Sequence, residues 1–205
     1  MSAVEEHEDD RLAARRADPR YQRLMEATRA AAHRGYDEVS MRDLAETCRL
    51  SMTTIYQFCR SKDQLIAEAH LENMEGFRRR LAARPPRGDT AEARVLNVMR
   101  SFAKALELDE PLSRTLMRAM YSLDSTVSDT RTSTGTEYGS IIDAAIGDVD
   151  VANRQAVINT LGHVIDSVIL GWLTRRHDIA WVRTHLEDAV HALLGDPDNA
   201  RRTRR

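Results

Sequence analysis

The chain has 205 residues, 42% hydrophobic and 30% charged, the ordinary balance of a soluble protein long enough to bury a real core. Nine glycines, five prolines and few alternating β-branched runs exclude a sheet protein and predict a nearly all-helical one. A net charge of −2 does not by itself suggest nucleic acid, but the charge is uneven: residues 1–10 hold five acids and no Lys or Arg, residues 11–62 hold eleven Lys or Arg against six acids, and the last five residues add four arginines.

Residues 1–17 read as a disordered arm, acidic and then basic through Arg11, Arg15 and Arg16, able to reach a DNA groove or to float free. Its acidic start does not resemble a signal peptide. Asp18-Pro19 is a helix start, a capping Asp with Pro at the first helical position. The first helix should run to about His33 with Leu24, Ala27, Thr28 and Ala31 inward, and Gly35 should stop it in a left-handed cap.

From Ser40 to Lys62 the pattern is two short helices around a tight corner. Ser40 is an N-cap with Asp43 as its partner, and Met41, Leu44, Ala45 and Cys48 recur at the spacing of one buried face. Arg49-Leu50 makes the corner, and Ser51 caps a second helix through about Phe58. On a helical wheel Ser51, Met52, Phe58 and Cys59 fall within about 60° of Ile55 and should anchor this helix. Thr53, Gln57 and Arg60 point outward, with Thr54 and Tyr56 on the flanks. That division suits a helix in a major groove, Gln57 pairing with an adenine edge and the Thr53 methyl meeting a thymine methyl. Ser61-Lys62 opens the next helix and offers a cation to a phosphate. Periodicity leaves a second option open, an ordinary helical corner with a solvated face. Cys48 and Cys59 both fall on inward faces, as small reduced core residues of a cytoplasmic protein.

A long helix should continue to about Ala83, broken by Arg84-Pro85-Pro86-Arg87-Gly88. Further helices are expected over residues 89–108, with Val95, Leu96, Met99, Phe102 and Leu106 apolar, and from Asp109-Glu110-Pro111 through Leu112, Leu116, Met117, Met120 and Tyr121. The Ser/Thr-rich stretch 122–135 reads as a loop, and a helix should follow over residues 136–146, ending at Gly147. Residues 150–177 read as one helix of roughly 40 Å, apolar on more than one face. Val164–Leu173, its most apolar part, is broken by Asp166 and Ser167 and falls short of the roughly 18 apolar residues of a membrane span. Asp178 should cap a final helix, Ile179–Leu194. One subunit holds too little material to cover both last helices, so a twofold dimer is expected through them, with Ile158, Val164, Val168, Leu186, Val190 and Leu193 at the interface.

No His-Glu-x-x-His, Cys-x-x-Cys or glycine-rich phosphate motif occurs, so no catalytic residue, metal ligand or cofactor is assigned. His163 with Asp166 and Ser167 forms a His-centred set at helical spacing, read as a satisfied buried histidine. Met99, Phe102, Leu116, Met117, Met120, Tyr121, Tyr138, Ile142 and Trp172 could converge as the wall of an apolar cavity, though composition alone leaves a filled core equally open.

Residues Tyr21 to Leu65 resemble the DNA-binding domain of TetR-family transcriptional regulators. The signatures are Arg34-Gly35-Tyr36, Ser40-Met41-Arg42-Asp43-Leu44-Ala45, Ser51-x-x-Thr54-Ile55-Tyr56 and Ser61-Lys62-Asp63-x-Leu65. The family usually has Phe at Cys59 and Pro at Arg60, and Phe58 should supply some of the missing aromatic packing. The resemblance implies that Thr54, Tyr56 and Lys62 contact phosphates, that 51–57 is the recognition helix, and that the last two helices form a four-helix dimer bundle. Candidate DNA contacts are therefore Arg15, Arg16, Ser40, Arg42, Ser51, Met52, Thr53, Thr54, Tyr56, Gln57 and Lys62. Two further stretches, Pro111 to Tyr121 and Trp172-Leu173-Thr174-Arg175-Arg176 with the helix end at 186–195, resemble actinobacterial repressors of sterol catabolism within that family. Arg114, Arg118 and Arg175 could then anchor an acid, or serve as salt-bridge residues.

The expected fold is all-α: an arm (1–17), a three-helix helix-turn-helix domain (18–66), a helical effector-binding and dimerisation domain (67–196) and a basic tail (197–205). The expected function is a ligand-responsive, homodimeric, cytoplasmic repressor on a pseudo-palindromic operator. An apolar effector, a sterol-derived or fatty acyl-CoA thioester, would release it, and no membrane is involved. A DNA-binding regulator without an effector, or a helical-bundle enzyme, are the alternatives.

Overall fold

Residues 14–17, expected as the end of a disordered arm, are helical, and each helix of the head after them begins where an oxygen-bearing side chain caps it. In the computed structural model, which describes residues 14–195, Asp18 accepts from the backbone of Arg20 at 2.8 Å and starts α1, Pro19–Ala32. Ser40 accepts from Asp43 N–H at 3.3 Å and starts α2, Met41–Cys48. Ser51 accepts from Thr54 N–H at 3.0 Å and starts α3, Met52–Phe58. These bonds satisfy donors that a helix start otherwise leaves unpaired. Arg49 closes α2 in the left-handed conformation, φ 54°, and that reversal sets α3 across α2. Gly35 departs from expectation: its φ of 127° and ψ of 164° lie outside the left-handed helical region, and it opens a 3-10 turn, Tyr36–Glu38. The acidic tract 1–10, Arg11 and the basic tail 197–205 lie outside the described residues.

Leu24, Met25, Leu44, Ile55 and Phe58 close the head core together with the start of α4, Lys62–Ala83. The Phe58 ring meets the Tyr21 ring edge-on, centroids 5.7 Å apart, so Phe58 does carry aromatic packing here. Helix α4 has 22 residues, about 33 Å, and leaves the head to run into the body. Leu65 through Leu71 are buried without a break, because α1 covers one side while α6 and α7 cover the others.

The body comprises α5 (Ala91–Leu108), α6 (Glu110–Met120), α7 (Ser128–Ile146), α8 (Arg154–Leu173) and α9 (Ile179–Leu194). Helix α9 packs on α5 and α8, and α7 packs on α4 and α5. The expected loop over 122–135 is instead a 3-10 turn, Ser125–Val127, followed by the first two turns of α7. Threonine is tolerated there because its hydroxyl returns to the preceding turn: Thr134 Oγ1 donates to the Thr130 carbonyl at 2.8 Å, and both residues are buried. Helix α8 is shorter than expected, 20 residues or about 30 Å, since Asn153 and Arg175 adopt positive φ at either end.

Helix α8 alone among the described residues is long and apolar enough to cross a membrane. Its apolar side faces its own chain through Ile158, Leu161, Ile165, Val168 and Ile169. The expected dimer set is narrowed accordingly: Ile158, Val168, Leu186 and Val190 are buried within the subunit and offer little surface to a partner, while Val164 and Leu193 remain half-buried. The outward strip of α8 is mostly polar (Asn159, Thr160, His163, Ser167), with Val164 and the 43% exposed Leu170 as its apolar content.

Candidate nucleic-acid interface and effector cavity

Helix α3 is held by Ile55 and Phe58 and presents the rest of its surface. Thr53, Tyr56 and Gln57 are exposed, and Thr54 is half-buried with its hydroxyl 2.8 Å from that of Ser51. Met52, expected to anchor the helix, is 36% exposed: at the first helical position it precedes the turn that packs. Ser51 is likewise exposed, and Ser40 is spent on its cap. Arg42 stands at the surface beside Glu46, a 3.4 Å exposed pair of little strength that leaves it able to meet a phosphate.

Arg15 and Arg16 do not extend toward a groove. Arg15 donates to the Phe58 carbonyl at 2.9 Å and pairs with the buried Glu68 at 3.0 Å. Arg16 pairs with Glu75 at 2.8 Å. They clamp α4 to the head because Glu68, buried with the Tyr21 hydroxyl 2.8 Å away, needs a cation beside it. Burial still holds the Glu68 carboxyl above the usual carboxylate range.

Lys62 Nζ donates to the Tyr36 carbonyl at 2.9 Å and lies 3.9 Å from the centre of the Tyr36 ring. Arg118 of α6 covers that ring at 3.8 Å. The Tyr36 hydroxyl donates to Asp63, which also accepts from Ser122 just beyond α6. Burial and this bond push the Tyr36 phenol up to about 12. Ser61, which caps α4, lies 2.8 Å from the Thr126 hydroxyl. The cationic edge of the head is thus fastened to the end of α6 and the turn after it.

Behind that joint lie two cavities. The larger, about 380 Å³, is lined by Met117, Met120, Tyr121, Arg131, Tyr138, His163, Asp166 and other residues of α6, α7 and α8. The second, about 260 Å³, lies among α4, α5 and α6 and is lined by Phe77, Arg80, Phe102, Leu116 and Met117 among others. Met99 and Ile142 border only a void of about 10 Å³ shared with Phe102 and Tyr138. Trp172 lines none of the three; it packs under Arg114, whose guanidinium sits 4.3 Å from its ring and donates to its carbonyl. His163 is exposed at the larger cavity rather than buried. The buried histidine is His70, 4% exposed and lowered to about 4 by desolvation. Its position was legible: Ile66, His70 and Met74 form an i, i+4 row on α4. Neither Arg114, Arg118 nor Arg175 lines a cavity described here.

This architecture has relatives along most of its length. Residues 24–69 match the family model of bacterial regulatory proteins of the tetR family, and residues 88–193 match the tetracyclin repressor-like C-terminal domain. The chain belongs to the TetR family. It is 28% identical over 190 residues to the HTH-type transcriptional repressor KstR of Rhodococcus jostii, covering 92% of this chain and 89% of that protein. KstR of Mycobacterium tuberculosis is 25% identical over 183 residues, 88% of this chain and 83% of that one. Among solved structures, a TetR transcriptional regulator from Rhodococcus sp. RHA1 superposes with a TM-score of 0.74 at 18% identity, over 87% of this chain and 97% of that one. FadR of Bacillus subtilis in complex with stearoyl-CoA gives 0.62 at 15% identity, over 86% and 99%. For a TetR-family chain the expected helix-turn-helix head and helical C-terminal domain are both present, and the family is one of transcription regulators rather than enzymes.

Proposed function

We propose that this chain is a cytoplasmic, homodimeric repressor that binds a pseudo-palindromic operator and leaves it when an apolar effector enters the body. The division is a DNA-binding unit over residues 18–66 and an effector-binding and dimerisation unit over 67–196. One observation carries the reading: α6 lines both cavities with Met117, while the adjacent Arg118 and the following Ser122 grip the head at Tyr36 and Asp63. A ligand that displaces Met117 therefore pushes on the residues that seat Lys62. Binding energy that differs between two α6 positions becomes a difference in head pitch, and operator DNA must weaken effector binding in return.

Gln57 and Thr53 are assigned to base edges, and Thr54, Tyr56, Arg42 and Lys62 to phosphates. The dimer is assigned to the outward faces of α8 and α9, with Val164, Leu170 and Leu193. The repressor names of the KstR relatives and the stearoyl-CoA in the FadR structure favour repression and a large apolar effector such as an acyl-CoA or sterol-derived thioester.

The experiment is selection of duplexes from a random pool, followed by fluorescence anisotropy with the enriched sequence. A palindrome with half-sites about 34–36 Å apart, bound by a dimer and released by stearoyl-CoA or a sterol thioester, is expected. Enrichment of a single asymmetric site, or a complex indifferent to every apolar probe, rules the reading out.

A further inference from the structure

The two cavities share two lining residues, His70 and Met117. Separately each sits near or below the lower end of the range for sites that hold drug-sized ligands, roughly 300–1,000 Å³; joined, they fall well inside it. The residues between them differ in kind. Met117 is unbranched and apolar, so its side chain can swing aside without breaking a hydrogen bond. His70 is 96% removed from solvent by its 4% exposure, and its one side-chain hydrogen bond among the described residues is a 3.3 Å contact of Nε2 with the Tyr138 hydroxyl. That distance is long for such a bond, and a neutral imidazole keeps a second nitrogen for another partner. Apolar side chains flank the junction on either side, Ile158 and Ile169 in the larger cavity and Phe77 and Leu106 in the smaller, while charged residues (Arg131 and Asp166, Glu72, Arg80 and Asp109) complete the two linings.

We infer that the two cavities are halves of one site for an elongated apolar molecule bearing a hydroxyl or keto oxygen near mid-length, with Met117 the movable wall and His70 with Tyr138 the hydrogen-bonding pair that recognises the oxygen. This rests on the effector reading above and adds the chemistry of the ligand. An unsubstituted chain threaded past His70 sets methylenes against a buried polar pair; an oxygen there completes it. Arg80 at the rim of the smaller cavity gives an acidic end a cation.

Calorimetry on the full chain with stearate, 10-hydroxystearate and octanoate tests this. One molecule of either long acid should bind per subunit, the hydroxylated one about tenfold tighter, the worth of one neutral hydrogen bond. His70→Leu should abolish that preference while still binding stearate, and Tyr138→Phe, which removes one atom and keeps the fold, should reduce it. Met117→Trp, filling the junction, should weaken both long acids and spare octanoate. Two long acids per subunit, a preference that survives in both H70L and Y138F, unaffected long-acid binding in M117W, or no binding by either long acid overturns the inference. Operator release is scored separately: binding with the expected preference but without release contradicts the effector reading and leaves this site standing.

Discussion

The guanidinium of Arg118 lies 3.8 Å from the centre of the Tyr36 ring, joining the helix that walls both cavities to the turn that seats Lys62. An exposed cation–π contact contributes about 0.5–1 kcal/mol, enough to bias two nearly balanced head positions without deciding the fold. Arg118→Ala should therefore leave thermal stability within about 1 kcal/mol of the parent and reduce the ratio of operator affinities measured without and with stearoyl-CoA. An unchanged ratio would assign the coupling to the Asp63–Ser122 contact instead.

Gln57 and Lys62 should separate by kind of effect. Gln57→Ala is expected to alter which duplexes are enriched, with a loss of about 1–3 kcal/mol on the preferred one. Lys62→Ala should weaken all duplexes alike and lower the slope of log affinity against log salt by about 0.9 per lost phosphate contact. Anisotropy titrations at several salt concentrations distinguish the two; the reverse pattern would exchange their roles.

Two substitutions on α8 should part association from folding. Leu170→Glu places a charge on the outward strip and should convert dimer to monomer in sedimentation runs while the helix content stays unchanged. Ile158→Ala, 6% exposed and turned into the subunit, should cost about 2–5 kcal/mol of stability and leave association constants alone once folded.

His70 gives a pH signature. Its folded pKa, about 4, lies below the 6.5 of a free imidazole, so the unfolded chain takes up this proton first as pH falls. The stabilisation is complete above about pH 6.5, declines between 6.5 and 4, and levels off below. Two and a half pH units correspond to about 3 kcal/mol. Urea unfolding of parent and H70L at pH 7.5 and 4 should show the parent losing more stability than H70L by that order; equal losses would mean that His70 titrates alike in both states.

The starts of most helices, and many of their stops, were readable locally. A cap such as Asp18, Ser40, Ser51 or Asp178 satisfies donors within three residues of itself, so the sequence window contains the whole interaction. The outward set Thr53, Gln57 and Arg60, all exposed, followed from the position of Ile55 for the same reason. Residues 122–135 misled because Ser and Thr also favour turns, and the choice of helix there depends on α4 lying alongside.

What the chain order alone determined was a series of capped, amphipathic helices with a helix-turn-helix near the start, since these depend on neighbours three or four residues apart. Tertiary structure decided the rest. Arg15 and Arg16 turn back to Glu68 and Glu75 across 53 and 59 positions of sequence, because a buried carboxylate draws the cation that folding brings within reach. Which face of α8 its own subunit covers, and that Met117 and His70 stand together between two cavities, depend on how five helices cross. No periodicity within one helix encodes that crossing.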